Sequence, residues 1–231
     1  MNTKIIIALD FFNQAEALAL IKDVNPEHCA VKIGSEMFTL FGADFVRHLI
    51  KQNFNVFLDL KFHDIPNTVA HACRAAAELG VWMVNVHASG GLKMMQAARE
   101  ALTPYGLRKP LLIGVTVLTS MAAEDLPAMG IISPLEEQII RLTKLTYQAG
   151  LDGVVCSAHE APLVKSLCGP SFLAVTPGIR LPHSGVDDQI RITSPEQAIK
   201  MGSDYLVIGR PITRAANPKA VIDSIIHSLS T

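Results

Sequence analysis

The run Leu58-Asp59-Leu60-Lys61-Phe62-His63-Asp64 sets two carboxylates and an ammonium among apolar neighbours. On an extended strand, residues two apart point to the same side, so Asp59 and Lys61 share one face and Leu58 and Leu60 the other. The leucines are expected to pack against helices, which leaves the charged pair facing away from them. Carboxylates beside a lysine favour its charged form. A charged ammonium suits proton donation and stabilisation of developing negative charge, whereas imine chemistry needs the neutral amine. The same parity turns Lys32 inward in Cys29-Ala30-Val31-Lys32-Ile33, and Asp10 ends the apolar run Ile5 to Leu9. Burying several charges together is costly, so their convergence reads as function more than as stabilisation.

Asp64 opens the segment Asp64-Ile65-Pro66-Asn67-Thr68. Pro66 suits the first turn of a helix, Asp64 suits its N-cap, and Asp64 and Thr68, four apart, would project from one side of that start. Far along the chain stand Pro177-Gly178-Ile179-Arg180 and Gly209-Arg210-Pro211. Glycine lets backbone N–H groups approach an anion and arginine gives a bidentate grip, so these two segments read as a phosphate site. His87, ahead of Ala88-Ser89-Gly90-Gly91, reads equally as a lining residue or a hydrogen-bonded structural one. Trp82 reads as core, and Asp204 and Arg191 as solvated charges.

The elements that must hold these residues alternate strictly. Eight strand-like runs occur at 5–9, 29–33, 55–60, 81–87, 111–118, 152–156, 172–177 and 204–209. Helix-like segments separate them at 14–24, 38–52, 67–79, 92–102, 135–149, 161–167 and 195–201, and 218–229 closes the chain. Such alternation argues a parallel sheet with right-handed crossovers. Eight repeats in 231 residues, with no Gly-rich dinucleotide turn after the first strand, favour one α/β domain spanning residues 1–231, a single (β/α)8 TIM barrel, over an open doubly wound sheet. The charged strand ends and both glycine-arginine segments would then meet at the C-terminal mouth, where barrels place their chemistry. The non-periodic stretches 119–133 and 181–194 also follow strands, as candidate lids.

Composition narrows the partners. The chain is 49% hydrophobic and 18% charged with a formal net charge of -1, which supports a large core and offers no basic field for nucleic acid or anionic membrane. Cys29, Cys73, Cys156 and Cys168 form neither a C-x-x-C pair nor a disulfide framework, so a reducing cytoplasm is expected. The eight histidines show no ligand spacing, and neither metal nor cofactor is expected. The first apolar run is too short for a signal or a membrane span.

Leu58-Asp59-Leu60-Lys61-Phe62-His63-Asp64-Ile65-Pro66-Asn67-Thr68 closely resembles the signature of the orotidine 5'-monophosphate decarboxylases. The likeness extends along the chain through Asp10, Lys32, Thr119, Arg180 and Gly209-Arg210. The Asp-x-Lys-x-x-Asp core is shared with magnesium-dependent sugar-phosphate decarboxylases and synthases on the same barrel; Phe62, His63 and Pro66-Asn67-Thr68 narrow the choice. The resemblance implies a cofactor-free conversion of orotidine 5'-monophosphate to uridine 5'-monophosphate. It implies Lys61 as proton donor, with Asp59 and Asp64 flanking it and Lys32 joining the charge network. Asp10 and Lys32 would hold the ribose hydroxyls, Thr119 would meet the pyrimidine, and Arg180, Gln189, Gly209 and Arg210 would bind the phosphate region. A homodimer is implied as well, in which Asp64 and Thr68 reach the neighbouring site. The competing reading of another class is a nucleotide-binding barrel without catalysis.

Overall fold

A computed structural model describes residues 4–181 and 193–230. Eight parallel strands close on themselves: β1 (Ile5–Leu9), β2 (Cys29–Gly34), β3 (Val56–Phe62), β4 (Met83–His87), β5 (Leu111–Val115), β6 (Gly153–Val155), β7 (Leu173–Thr176) and β8 (Tyr205–Ile208). Closure is made by β8 pairing with β1 through Ile5↔Leu206, Ile6↔Val207 and Ile7↔Ile208, which rules out the open sheet. The outer layer comprises α1 (Gln14–Ile21), α2 (Ser35–Lys51), α3 (Pro66–Leu79), α4 (Gly91–Leu102), α5 (Leu135–Gln148), α6 (Ala161–Cys168) and α7 (Pro195–Lys200). After β8 come a short α8 (Arg210–Thr213), which the sequence pattern did not reveal, and α9 (Pro218–Ser230).

Strand parity divides the apolar residues into two cores. Ile7, Leu9, Val31, Ile33, Leu58 and Val84 pack outward against helical residues such as Met37, Phe45, Val69 and Met94. Ile6, Ala30, Phe57, Met83, Ile113 and Val175 fill the barrel, joined by Trp82 and Tyr205, whose rings meet edge to face at 5.1 Å. Along three neighbouring strands the inward row turns polar toward the C-terminal end: Ala30 is followed by Lys32, Phe57 by Asp59, and Met83 by Asn85. The apolar floor therefore supports a polar mouth. On β6 the barrel wall is so close that a Cβ on Gly153 would run into the Leu173 carbonyl, so only glycine fits there.

The register of β3 against β4 breaks between Leu58 and Phe62. Phe57 pairs Met83 and Leu58 pairs Val84, yet Phe62 pairs Val86, leaving surplus residues on β3. Lys61 takes up the irregularity with a φ of 50°, a left-handed conformation that costs a non-glycine residue on the order of 1 kcal/mol or more. This bulge carries β3 to Phe62, beyond the end that hydropathy suggests at Leu60.

Candidate active site

The strand ends and the loops beyond them enclose a cavity of about 250 Å³. One wall carries Asp10, Lys32, Asp59 and Lys61 from the ends of β1, β2 and β3, and the lining continues through Thr119, Gly178, Arg180, Gly209 and Arg210, with Gly209 next to Asp10 where β8 meets β1. Phe57, Val115, Val155, Val175 and Val207 give the cavity an apolar lining between them.

The charged wall is one continuous chain. Lys61 Nζ lies 2.8 Å from Asp59 Oδ1, Lys32 Nζ lies 3.2 Å from Asp59 Oδ2, and Lys32 Nζ lies 3.4 Å from Asp10 Oδ1. Asp59 and Lys32 are buried, while the Lys61 side chain keeps 35% of its exposure and opens to the cavity. Burial by itself would raise the Asp59 carboxyl, but the two ammoniums and hydrogen bonds from Lys61 and Asn85 outweigh it and hold the group below its ordinary range. Burial would likewise lower Lys32, and the charges of Asp59 and Asp10 more than reverse that. Lys32 and Asp59 thus each favour the charged form, and the Lys61 ammonium shares the same buried carboxylate.

Asp59 and Lys61 meet as parity requires, although the contact is made through a bulge and not through a regular strand. Asp64 departs from expectation in two ways. It does not cap α3: Ile65 occupies that position without a side-chain cap bond, and Asp64 Oδ1 instead accepts the N–H of Ile65 at 2.6 Å. Pro66 starts the helix one residue later than an Asp64 cap would require, because the residue before a proline is pushed to extended backbone. Asp64 also forms no ion pair with Lys61 among the described residues of this single chain; both it and Thr68 are exposed and stand outside the cavity lining.

The segment Gly178 to Arg180 is held by backbone pairing. Ile179 bridges Thr193 in parallel; the Arg180 N–H donates to the Thr193 carbonyl at 3.0 Å, and the Thr193 N–H donates to Gly178 at 3.3 Å. The buried Arg180 guanidinium also donates through Nη1 to the Ile179 carbonyl at 3.0 Å, which folds it back on its own loop. Gly209 and Arg210 enter from the end of β8. Gln189, Arg191 and most of the second candidate lid lie outside the described residues, while the stretch 119–133 folds into short 3-10 turns at Ala123–Asp125 and Pro127–Met129.

His87 sits at the mouth, half-buried, with its ring 5.5 Å from that of His63. Burial first, then the charges of His63 and Lys61, lowers its pKa. Asp204 is not a solvated charge: it accepts Lys165 Nζ at 2.6 Å and the Ala174 N–H at 2.7 Å. Asn85, which the sequence pattern did not single out, is fully buried; its Nδ2 donates to Asp59 Oδ1 at 2.6 Å and its Oδ1 accepts the Lys61 N–H at 2.8 Å. An amide on the inward row of an apolar strand, two residues beyond Met83, was the available signal. All four cysteines are free and buried, and burial together with the Asp223 charge pushes Cys29 up to about 12.

A closed eight-stranded barrel whose C-terminal mouth holds an ion chain and two glycine-arginine segments around one cavity defines a (β/α)8 barrel enzyme. Residues 3–225 match the model of the Orotidine 5'-phosphate decarboxylase / HUMPS family, and the chain belongs to that family. Relatives named orotidine 5'-phosphate decarboxylase include one from Vibrio cholerae serotype O1 (strain M66-2), 62% identical over 99% of both chains. Another, from Legionella pneumophila (strain Corby), is 59% identical over 99% of this chain and 100% of its own. The crystal structure of orotidine 5'-phosphate decarboxylase from Lactobacillus acidophilus superposes with a TM-score of 0.89 at 36% identity, covering 99% of this chain and 100% of that one.

Proposed function

We propose that the chain converts orotidine 5'-monophosphate to uridine 5'-monophosphate and carbon dioxide, the closing step of pyrimidine nucleotide synthesis, without a cofactor. The observation that carries this reading is one cavity lined both by the Lys32–Asp59–Lys61 ion chain and by Arg180, Gly209 and Arg210. Close relatives bearing the decarboxylase name support it further.

The chemistry asks for what that wall offers. When the bond from the ring to its carboxylate breaks, carbon dioxide leaves and the electron pair stays on the ring carbon, in the ring plane, where the π-system does not delocalise it. The Lys61 ammonium stabilises that pair and then forms the new C–H bond with one of its protons; the neutral amine regains a proton from solvent. Asp59 aims the lysine through its 2.8 Å contact with Lys61 Nζ. Asp10 and Lys32 hold the ribose hydroxyls, Thr119 meets the pyrimidine, and Arg180, Gln189, Gly209 and Arg210 take the phosphate. Binding energy from that remote phosphate serves to hold the reacting ring in place.

Asp64 and Thr68 complete the site of a second copy in a homodimer. Their exposure beside Ile65, an apolar side chain 67% exposed, supports that role. The decisive experiment follows the absorbance of orotidine 5'-monophosphate during turnover by the purified protein, with and without EDTA. Conversion that EDTA leaves unchanged supports the reading, and an untouched substrate sinks it. Mixing Lys61→Ala with Asp64→Asn subunits tests the dimer: restored activity supports shared sites, and mixtures that stay dead refute them.

A further inference from the structure

Asn85 lies behind the ion chain, fully buried and off the cavity lining, so it does not touch a ligand held there. It nevertheless contacts both residues on which the proposed proton transfer depends. Where β3 leaves register with β4, the Lys61 N–H donates to the Asn85 side chain, so a carboxamide stands in for a strand partner at the left-handed residue. The other end of the same carboxamide donates to Asp59 Oδ1, the oxygen that also accepts Lys61 Nζ. The orientation of the amide follows from this pairing, since the reverse would set its oxygen against a carboxylate.

We propose that Asn85 is a positioning residue for the decarboxylation, fixing the Lys61 backbone and the Asp59 carboxylate together so that the ammonium is aimed from behind. This rests on the decarboxylase reading above. Few side chains do both tasks. Aspartate would face Asp59 with a second carboxylate, serine is too short to span the two partners, and glutamine would force an extra methylene into a packed interior. The bond from Asn85 also favours the ionised form of Asp59, which gives the role a titration signature that simple core filling lacks.

The test measures kcat and KM for orotidine 5'-monophosphate across pH for wild type, Asn85→Ala and Asn85→Asp, with thermal melts alongside. In Asn85→Ala kcat is expected to fall roughly 10- to 100-fold while KM stays within about threefold, because the groups that meet the substrate remain. Its acid limb is expected to move to higher pH, since a hydrogen bond that favours ionised Asp59 is gone. Asn85→Asp keeps the size and the acceptor for the Lys61 N–H, and its kcat should decline as pH rises and the two carboxylates ionise together. Wild-type kcat with an unmoved acid limb in Asn85→Ala, or a wild-type pH profile in Asn85→Asp, overturns the proposal. If neither variant folds, Asn85 is a folding residue and the proposal fails as well. An inactive wild type would instead refute the decarboxylase reading, so the two failures are distinguishable.

Discussion

Both ends of the barrel carry ion pairs, half-buried at the N-terminal end and centred on the buried Asp59 at the other, and they differ in how completely those pairs are satisfied. At the N-terminal end, Asp152 accepts both terminal nitrogens of Arg99, at 2.7 and 3.1 Å, together with the Leu112 N–H at 2.8 Å. Asp204 accepts Lys165 and the Ala174 N–H, and Lys165 gives its remaining protons to the carbonyls of Pro170 and Phe172. Each carboxylate there has one cation and one strand N–H, so these pairs tie helices to strands with little bonding capacity left over. At the C-terminal end two cations share Asp59, and Lys61 directs only one N–H of its ammonium to a described acceptor while it faces a cavity. A saturated pair stabilises a fold, whereas an ammonium with protons to give beside a cavity is available for chemistry.

The sharpest way to break this contrast is Lys61→Ala, expected to reduce kcat by on the order of 10³-fold or more while leaving the melting temperature close to wild type. Asp59 retains Lys32 in that variant, so no carboxylate is stranded. Turnover and a melt on the same sample check both halves. Arg210→Ala comes next, with a KM roughly 100-fold higher for loss of a charge-assisted phosphate contact. An unchanged KM would remove the phosphate role. Asp204→Ala should do the converse, lowering stability by about 2 kcal/mol and the melting temperature by roughly 4–8 °C, with kcat within about twofold of wild type. A large fall in kcat would dissolve the distinction between the two ends.

The smallest effect concerns His87. Its folded pKa lies below its ordinary 6.5, so the unfolded chain takes up a proton first as pH falls. The stability due to neutral His87 is full above 6.5 and is lost as pH drops through the folded value. His87→Gln should therefore flatten the acid side of the stability profile, which denaturant titrations at several pH values would detect. An unaltered profile would show that His87 does not contribute to it.

Alternation of apolar runs with amphipathic stretches was enough to specify eight strands, the helices between them and the closed barrel, because strand and helix periods are local properties of the chain. Parity likewise places Lys32 and Asp59 inward from the strand sequences alone, and strand ends assign both glycine-arginine segments to one mouth. Tertiary structure decided the rest. The bulge at Lys61 depends on a register set by β4, and a register between strands is not written in either strand alone. For the same reason Asn85 passed as one polar residue in an apolar run, and Asp204 as a surface charge: their partners lie 26 and 39 positions away. Asp64 read as a helix cap because its spacing to Pro66 allowed one, while the folded backbone turned it outward. Sequence by itself thus determined which residues carry the charge, and only the packing of strand on strand decided which of them share a proton-bearing contact.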